Sequence, residues 1–262
     1  MKPLKLGIRL ESLGLPLRPA LTEATRLAVA GVQVDAVRDL SPRQLSQSGR
    51  REFRSLLRVH NLELSALGCP LRRGLDAAEE QDARLEFIRE VMTLSADLGP
   101  RMVVIQIGQV PEKEEEPGAR RMREGLTYLA QHGDRIGVRL AIETGLESGA
   151  TLARYLSSFD TGCLGVNLDP ANLLLHGFNP YESARELTGR ILHSHARDCR
   201  KASASRAAQE VPLGHGDIDW LSYFETLEEI EYRGWVIIER EQGDNRLADV
   251  QQGVAFLQRF VA

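Results

Sequence analysis

Short apolar segments rich in β-branched residues alternate with longer amphipathic segments along the whole chain. Eight apolar segments predict β-strands, at residues 4–10, 31–37, 62–67, 102–107, 138–142, 163–168, 191–195 and 235–238. Segments with helical spacing predict helices at residues 22–30, 50–60, 79–98, 120–136, 151–159, 181–188, 220–229 and 248–261. Such an alternation favours parallel strands joined by helical crossovers.

Two architectures fit this alternation: a closed (β/α)8 barrel and an open, doubly wound sheet. Open-sheet nucleotide enzymes usually carry a glycine-rich phosphate turn after the first strand, whereas residues 11–16 read ESLGLP. Eight strand–helix units in 262 residues are typical of the barrel. We therefore predict an α/β fold with one TIM-barrel domain over residues 1–262. Segments 110–118 and 201–210 are predicted to be active-site loops, or simply solvated surface loops.

Composition and charge narrow the possible functions. The chain is 42% hydrophobic and 27% charged, with a formal net charge of −4 and three well-separated cysteines. An acidic balance argues against a broad nucleic-acid-binding face, and isolated cysteines fit a reducing compartment. Arg9 and Glu11 interrupt the apolar stretch near the N-terminus, and no stretch approaches the length needed to cross a membrane. We expect a cytoplasmic protein with neither a nucleic-acid partner nor a membrane partner.

Polar side chains end four successive predicted strands. Glu143 follows the fifth strand, Asp169 the sixth, His195 ends the seventh and Glu239 follows the eighth. Each alone has an ordinary explanation, such as a helix cap, an ion pair or a hydrogen-bonded core histidine. Catalytic groups of such barrels cluster at the carboxyl ends of the strands, and three carboxylates gathered there without a cation would repel one another.

The donor types of these four residues favour a divalent cation. Three carboxylates and an imidazole suit Mn²⁺ or Mg²⁺, and mixed oxygen and nitrogen sites also take Co²⁺ and Zn²⁺. We predict one such ion. Four protein ligands would leave room for two substrate oxygens, which fits the α-hydroxy carbonyl of a sugar.

At these residues the sequence resembles the sugar phosphate isomerase/epimerase superfamily, the xylose isomerase-like barrels. The matching segments are AIETG at 141–145, VNLDPANL at 166–173, HSHARD at 193–198, VPLGHGDIDW at 211–220 and VIIERE at 236–241. The resemblance implies that Glu143, Asp169, His195 and Glu239 bind the metal. Many members carry a histidine three residues after the sixth-strand aspartate, where this chain has Asn172.

Isomerases and epimerases of this superfamily move a proton next to a carbonyl through an enediolate. The resemblance therefore implies that Glu143 and Glu239 are acid/base groups as well as ligands, acting on a small carbohydrate. A second interpretation is an inosose dehydratase-like lyase on the same site, and a third is a non-catalytic carbohydrate-binding barrel. The endonuclease branch is disfavoured because the third and fourth strands end without the histidines of its zinc cluster.

Further residues are candidates for supporting roles. Arg197 and Arg240 directly follow the seventh- and eighth-strand ends and are predicted to bind substrate, or to form ion pairs at the barrel rim. Gln106, His176 and His215 are weaker substrate-binding candidates, with packing, surface and turn roles as alternatives. Asp198 is predicted to orient His195 from behind, or to pair with Arg197. The sequence does not indicate an oligomeric state.

Overall fold

Eight parallel strands close into a barrel in the computed structural model, which describes residues 4–111, 115–203 and 206–261. The strands are β1 Lys5–Arg9, β2 Gly31–Asp35, β3 Glu63–Cys69, β4 Met102–Ile105, β5 Arg139–Glu143, β6 Leu164–Leu168, β7 Ile191–Ala196 and β10 Trp235–Ile238. They lie in this order around the barrel, and β10 pairs with β1. The predicted (β/α)8 architecture is confirmed.

Helices surround this barrel and connect its strands. They are α1 Leu17–Arg26, α2 Gln47–Val59, α3 Gln81–Leu98, α4 Pro117–Ile136, α5 Gly149–Ser157, α6 Pro170–Leu175, α7 Pro180–Glu186, α8 Trp220–Glu229 and α9 Arg246–Val261. Short 3₁₀ helices at Leu10–Leu13 and Arg38–Leu40 follow β1 and β2. No helix in the described parts of the chain is long and apolar enough to span a bilayer.

The first helix lies earlier in the chain than predicted, at Leu17–Arg26 rather than 22–30. Pro19 falls in its first turn, where a missing N–H costs no intrahelical hydrogen bond. The helix ends early because Ala28 adopts a left-handed φ of 53° in the turn before β2. Local backbone conformation therefore decided both ends.

Two short elements near the mouth of the barrel were not predicted. The six-residue α6 directly follows β6, and a hairpin of β8 (Asp198–Arg200) and β9 (Gln209–Val211) follows β7. Such short segments contain too few residues to show a helical or strand period. The hairpin includes part of the predicted loop 201–210. Residues 204–205 of that loop and 112–114 of the other lie outside the described residues.

Polar side chains replace apolar ones inside the barrel towards the carboxyl ends of the strands. An apolar interior cluster contains Ala66, Met102, Val104 and Ala141, with Leu192 packed against it. A larger apolar core includes residues of both the strands and the surrounding helices. These apolar side chains fill the lower part of the barrel interior, so a ligand site is expected at the mouth, as in other barrels of this kind.

Candidate active site

A cavity of about 240 Å³ opens at the carboxyl ends of the strands. Arg9 of β1, Asp35 of β2, Glu143 of β5, His195 of β7 and Glu239 after β10 contribute to its wall. A larger cavity of about 840 Å³ lies between the segments around α4 and α5, but none of the four predicted metal ligands lines it. The smaller cavity is the candidate active site because the titratable groups converge there.

Three of the four predicted ligands come together. Glu143, Asp169 and His195 each offer a ligand atom, and these atoms all lie within 4.8 Å of one another. Glu239 lies beside them, with Oε2 2.6 Å from His195 Nδ1. Adjacent strands ending at one rim produce this convergence, and Asp169 is also held as the N-cap of α6, where it accepts a hydrogen bond from the Asn172 N–H.

Buried hydrogen bonds orient His195. Its Nε2 lies 2.9 Å from the side-chain oxygen of Gln33, and because an amide oxygen only accepts, Nε2 carries the proton. Nδ1 therefore faces the carboxylates, with Asn167 Nδ2 3.1 Å away. Asn167 also binds His193, which reaches Ser65 on its other side. His193 is a core histidine, and burial lowers its pKa well below the ordinary value.

Glu143 is surrounded by hydrogen-bond donors. Its Oε1 accepts from Gln106 at 2.9 Å and from Asn172 at 2.6 Å. Burial raises the pKa of Glu143, and the negative charges of Glu239 and Asp169 raise it further, against the opposing effect of His195. Glu143 is thus a carboxyl group that holds a proton more readily than an ordinary glutamate.

Glu239 has the opposite character. Burial would raise its pKa, but His195 and Arg9 outweigh burial and leave the pKa of Glu239 below its ordinary value. Arg9 contacts Glu239 and forms a two-pronged ion pair with Asp35, at 3.2 and 2.6 Å. Two carboxylates with pKa values pushed apart are the usual arrangement of an acid/base pair.

The close approach of the Glu239 carboxylate to the His195 ring requires a positive charge that the two groups share. Oε2 of Glu239 is buried and makes no hydrogen bond of good geometry within the described residues, although His195 Nδ1 is 2.6 Å away. Two lone pairs at this distance repel unless a proton or a metal ion lies between them. Accordingly, Glu239 raises the pKa of His195 above its ordinary value, although burial lowers it.

These residues fit a divalent cation through their donor chemistry. The oxygen and nitrogen donors of Glu143, Asp169 and His195 suit a hard or borderline metal ion, and the orphaned Oε2 of Glu239 supplies a fourth donor next to His195. Two guanidinium groups compete for these carboxylates: Arg9 contacts Glu239, and Arg197 lies 3.0 Å from Asp169 Oδ2. The positive charges of the arginines partly neutralise the carboxylates even without a metal ion.

The structure separates the remaining predicted residues into two groups. Gln106 and Arg197 lie at the site. Arg197 bonds Asp169 and Asn172, and its buried Nε–H has no hydrogen-bond partner among the described residues. Arg240 points away from the ligands into ion pairs with other acids, whereas His176 and His215 are exposed and neither lines the cavity.

The predicted role of Asp198 in orienting His195 is wrong. Both oxygens of Asp198 accept hydrogen bonds from the loop after β9, including the N–H groups of Gly214 and Gly216 and the indole of Trp220. Asp198 therefore shapes the turn before α8. The described partners of the His195 ring are Gln33, Asn167 and Glu239 instead.

Sequence reasoning missed several residues of the site, namely Arg9, Gln33, Asp35, Asn167 and Asn172. Gln33 and Asn167 interrupt apolar strands, and this is the signal that could have identified them, since an amide in a buried strand needs a partner. Arg9 and Asp35 end the first two strands in the same way as the four recognised ligands end theirs.

Comparison with known proteins agrees with this architecture. The family model of the xylose isomerase-like TIM barrel matches residues 21–260. The chain belongs to this family. Among curated proteins, the rhizopine catabolism protein MocC of Rhizobium meliloti is 28% identical, over 88% of this chain and 76% of the relative. An inosose dehydratase of Lacticaseibacillus casei is 26% identical, over 47% of each chain.

Solved structures of other proteins share this barrel architecture. A xylose isomerase domain protein from Planctomyces limnophilus superimposes with a TM-score of 0.84 and 26% identity, covering 92% of this chain and 91% of that one. An L-ribulose 3-epimerase gives a TM-score of 0.81 at 17% identity, covering 98% and 94%, a likeness that concerns the fold. With an inosose dehydratase among its sequence relatives, this barrel is an enzyme.

Proposed function

We propose that this enzyme is a divalent-metal-dependent isomerase or epimerase of a carbonyl-bearing sugar or cyclic polyol. The observation that carries the proposal is the convergence of Glu143, Asp169 and His195 within 4.8 Å, with Glu239 directly beside His195. The carboxyl groups of Glu143 and Glu239 have opposite pKa shifts, and enediolate chemistry needs one group that removes a proton and one that returns it.

Glu143, Asp169, His195 and Glu239 would hold one ion of Mn²⁺, Co²⁺, Mg²⁺ or Zn²⁺. Such an ion, when bound, polarises a carbonyl oxygen and stabilises negative charge that develops on it. Gln33 holds the His195 ring so that Nδ1 faces the other ligands. Arg197 donates to Asp169 and Asn172 and would hold the Asp169 carboxylate in place.

The two glutamates would share the proton transfer. Glu239, kept ionised by His195 and Arg9, removes the proton from the carbon next to the carbonyl, leaving an enediolate. In epimerisation, Glu143 returns a proton to the opposite face of the same carbon. In isomerisation, it returns a proton to the former carbonyl carbon, and the proton of the neighbouring hydroxyl group moves to the former carbonyl oxygen. Gln106 and Asn172 keep the Glu143 carboxyl group in place through their hydrogen bonds.

A dehydratase is the second candidate, favoured by the similarity to an inosose dehydratase. In that reaction Glu239 would remove the same proton. The C–O bond of the hydroxyl group on the next carbon would break as Glu143 protonates the departing oxygen, so that water leaves. Both candidates use the same site and the same first step.

Deuterium incorporation tests the shared step. We expect the protein incubated in D₂O with Mn²⁺, Co²⁺ or Mg²⁺ to introduce deuterium next to the carbonyl of a ketose or an inosose, as measured by mass spectrometry. Loss of 18 mass units would identify the dehydratase. Glu143→Gln and Glu239→Gln should each slow the exchange by about 10²–10⁴-fold.

Glu225→Gln is the matched control, because Glu225 is exposed on α8, and it should exchange at the wild-type rate. Binding of a sugar without any exchange, in the presence of each metal, would favour the non-catalytic barrel. A metal-independent exchange of unchanged rate would contradict the metal site.

The site also restricts the class of ligand. A cavity of about 240 Å³ with an acidic wall fits a monosaccharide-sized molecule, and we propose a small carbohydrate rather than a nucleic acid as the partner. The cysteines Cys69, Cys163 and Cys199 are free and buried, which supports a reducing compartment such as the cytoplasm.

A further inference from the structure

A carboxylate of the chain itself lies between two buried arginines at the mouth of the barrel. Glu210 of β9 accepts a hydrogen bond from Arg197 at 3.1 Å through Oε2. Its Oε1 accepts from Arg240 at 2.9 Å and from the backbone N–H of Glu241 at 3.0 Å. Two guanidinium groups and a backbone N–H converging on paired oxygens are the contacts that proteins use to bind a phosphate.

This cluster is built into the structure rather than spread over its surface. The side chains of Arg197, Arg240 and Glu210 are 7%, 8% and 2% exposed. Charged groups withdrawn from water to this degree are held by their partners, and removal of one leaves the others uncompensated. Arg197 also pairs with Asp169 and Glu241, and Arg240 with Asp249. Among the described residues, Glu210 is the carboxylate that bridges both guanidinium groups.

The cluster lies at the rim of the barrel, in the loops that follow β7 and β10. Loops after the seventh and eighth barrel strands frequently form the phosphate-binding site of a TIM barrel. Here Arg197 and Glu210 follow β7, and Arg240 and Glu241 follow β10. The anion position at this rim is thus occupied by the Glu210 carboxylate, which the hairpin of β8 and β9 carries into it.

The cavity offers no other free cation in its described wall. Among the described residues, Arg9 is the only lysine or arginine that lines it, and Arg9 is already paired with Asp35, Glu239 and Glu241. With Glu143, four carboxylates face one guanidinium group. Away from the ion that Glu143 and Glu239 would hold, a phosphate group entering this wall would meet the carboxylates of Asp35 and Glu241, which repel it.

We propose that Glu210 is a built-in occupant of the phosphate position, and that the active site therefore takes an unphosphorylated sugar or polyol. The preference for an unphosphorylated substrate rests on the proposed function. The occupation of an anion-binding position by Glu210 does not depend on it. Removing the Glu210 carboxylate should expose a phosphate-binding site that the wild-type protein lacks.

Inorganic phosphate tests the anion position directly, without turnover. Titration followed by ³¹P NMR and calorimetry should show no saturable binding to the wild-type protein and saturable binding to Glu210→Ala. The double variant Glu210→Ala/Arg240→Gln should lose that binding, and Glu225→Ala, on an exposed helical position, should behave like the wild type. A folded Glu210→Ala protein that binds no phosphate, or a wild type that binds it equally well, would overturn the proposal.

A ketose and its phosphate ester, compared on the wild-type protein, test the proposed substrate class. This comparison does not depend on whether a variant folds. A ketose should bind or exchange at least about tenfold better than its phosphate ester, in line with the cost of like charges. Preference for the phosphate ester would overturn the inference and point to the exposed Lys201 and Arg206 instead. Absence of exchange with every substrate would contradict the proposed function while leaving the phosphate titration decisive.

Discussion

The Nε2 atom of His195 lies 2.9 Å from the side-chain oxygen of Gln33, a contact that crosses the barrel interior from β7 to β2. Gln33 is 1% exposed and has no role at the surface. Its contact fixes which nitrogen of His195 carries the proton and turns the other nitrogen towards Glu143 and Glu239.

Replacing Gln33 by leucine should weaken metal binding by about 10–100-fold, because the ring loses the partner that sets its tautomer and orientation. Metal affinity measured by competition with a chromophoric chelator would test this. Gln44→Leu, at an exposed position, serves as the control. Unchanged affinity in Gln33→Leu would mean that His195 does not bind the metal through Nδ1.

Metal affinity should decrease as the pH falls through neutrality. Burial and the neighbouring carboxylates raise the pKa of Glu143 to about 7. Below that pH the metal ion must therefore displace a proton from Glu143. Each displaced proton weakens binding by about tenfold per pH unit. Calorimetric titrations between pH 5.5 and 8.5, a range of about three units around this pKa, measure the slope. Glu143→Gln should bind more weakly with a smaller slope, and an equal slope would assign the proton elsewhere.

Removal of the Arg9 guanidinium should destabilise the metal-free protein. Arg9 holds Asp35 and Glu239 together, and these side chains are 15%, 7% and 3% exposed. Loss of one partner from a buried ion pair costs about 3–5 kcal/mol, so Arg9→Met should lower the free energy of unfolding in urea by this amount.

Two further variants make the Arg9 experiment specific. Asp35→Asn in the Arg9→Met background should recover part of the loss, because it removes one uncompensated charge. Arg18→Met, which breaks an ion pair between side chains that are each 64% exposed, should cost no more than about 1 kcal/mol. Equal losses from Arg9→Met and Arg18→Met would contradict the buried network.

Gly216→Ala should destabilise the fold by about 1–3 kcal/mol, because an added methyl group would collide with the Asp198 carboxylate that binds this turn. Thermal unfolding compared with Gly162→Ala measures the effect. At Gly162 the nearest atom outside its chain neighbours would be Asp134 Oδ1 at 3.9 Å, so that control should stay within about 0.5 kcal/mol.

The fold could be predicted because its signals are local. Each apolar run and each helical period is contained in a short segment, as α8 shows by matching the predicted bounds 220–229. The bounds of α1 differ from the predicted ones because Pro19 fits within its first turn and Ala28 takes a left-handed φ just after its end. Elements such as α6 and the hairpin of β8 and β9 were too short to leave a period.

The candidate site could be predicted in part for the same reason. Glu143, Asp169 and His195 end or follow consecutive strands, so the barrel register alone brings them together. The role of Asp198 was predicted wrongly because its position two residues after Ala196 does not indicate which loop donates hydrogen bonds to its carboxylate. For His176 and His215 the sequence left substrate-binding, surface and turn roles open, and the structure places both at exposed positions away from the cavity.

By itself, the sequence determined an eight-stranded barrel and the rim at which its acidic and histidine side chains end, since both follow from short-range patterns of polarity. Only the tertiary structure decided how those charges are paired: Arg9 with Glu239, 230 positions apart, Gln33 with His195, and Glu210 between Arg197 and Arg240. The physical reason is that ion pairs and hydrogen bonds act over a few ångströms. Their partners are chosen only once the barrel has closed and the loops have folded over its mouth.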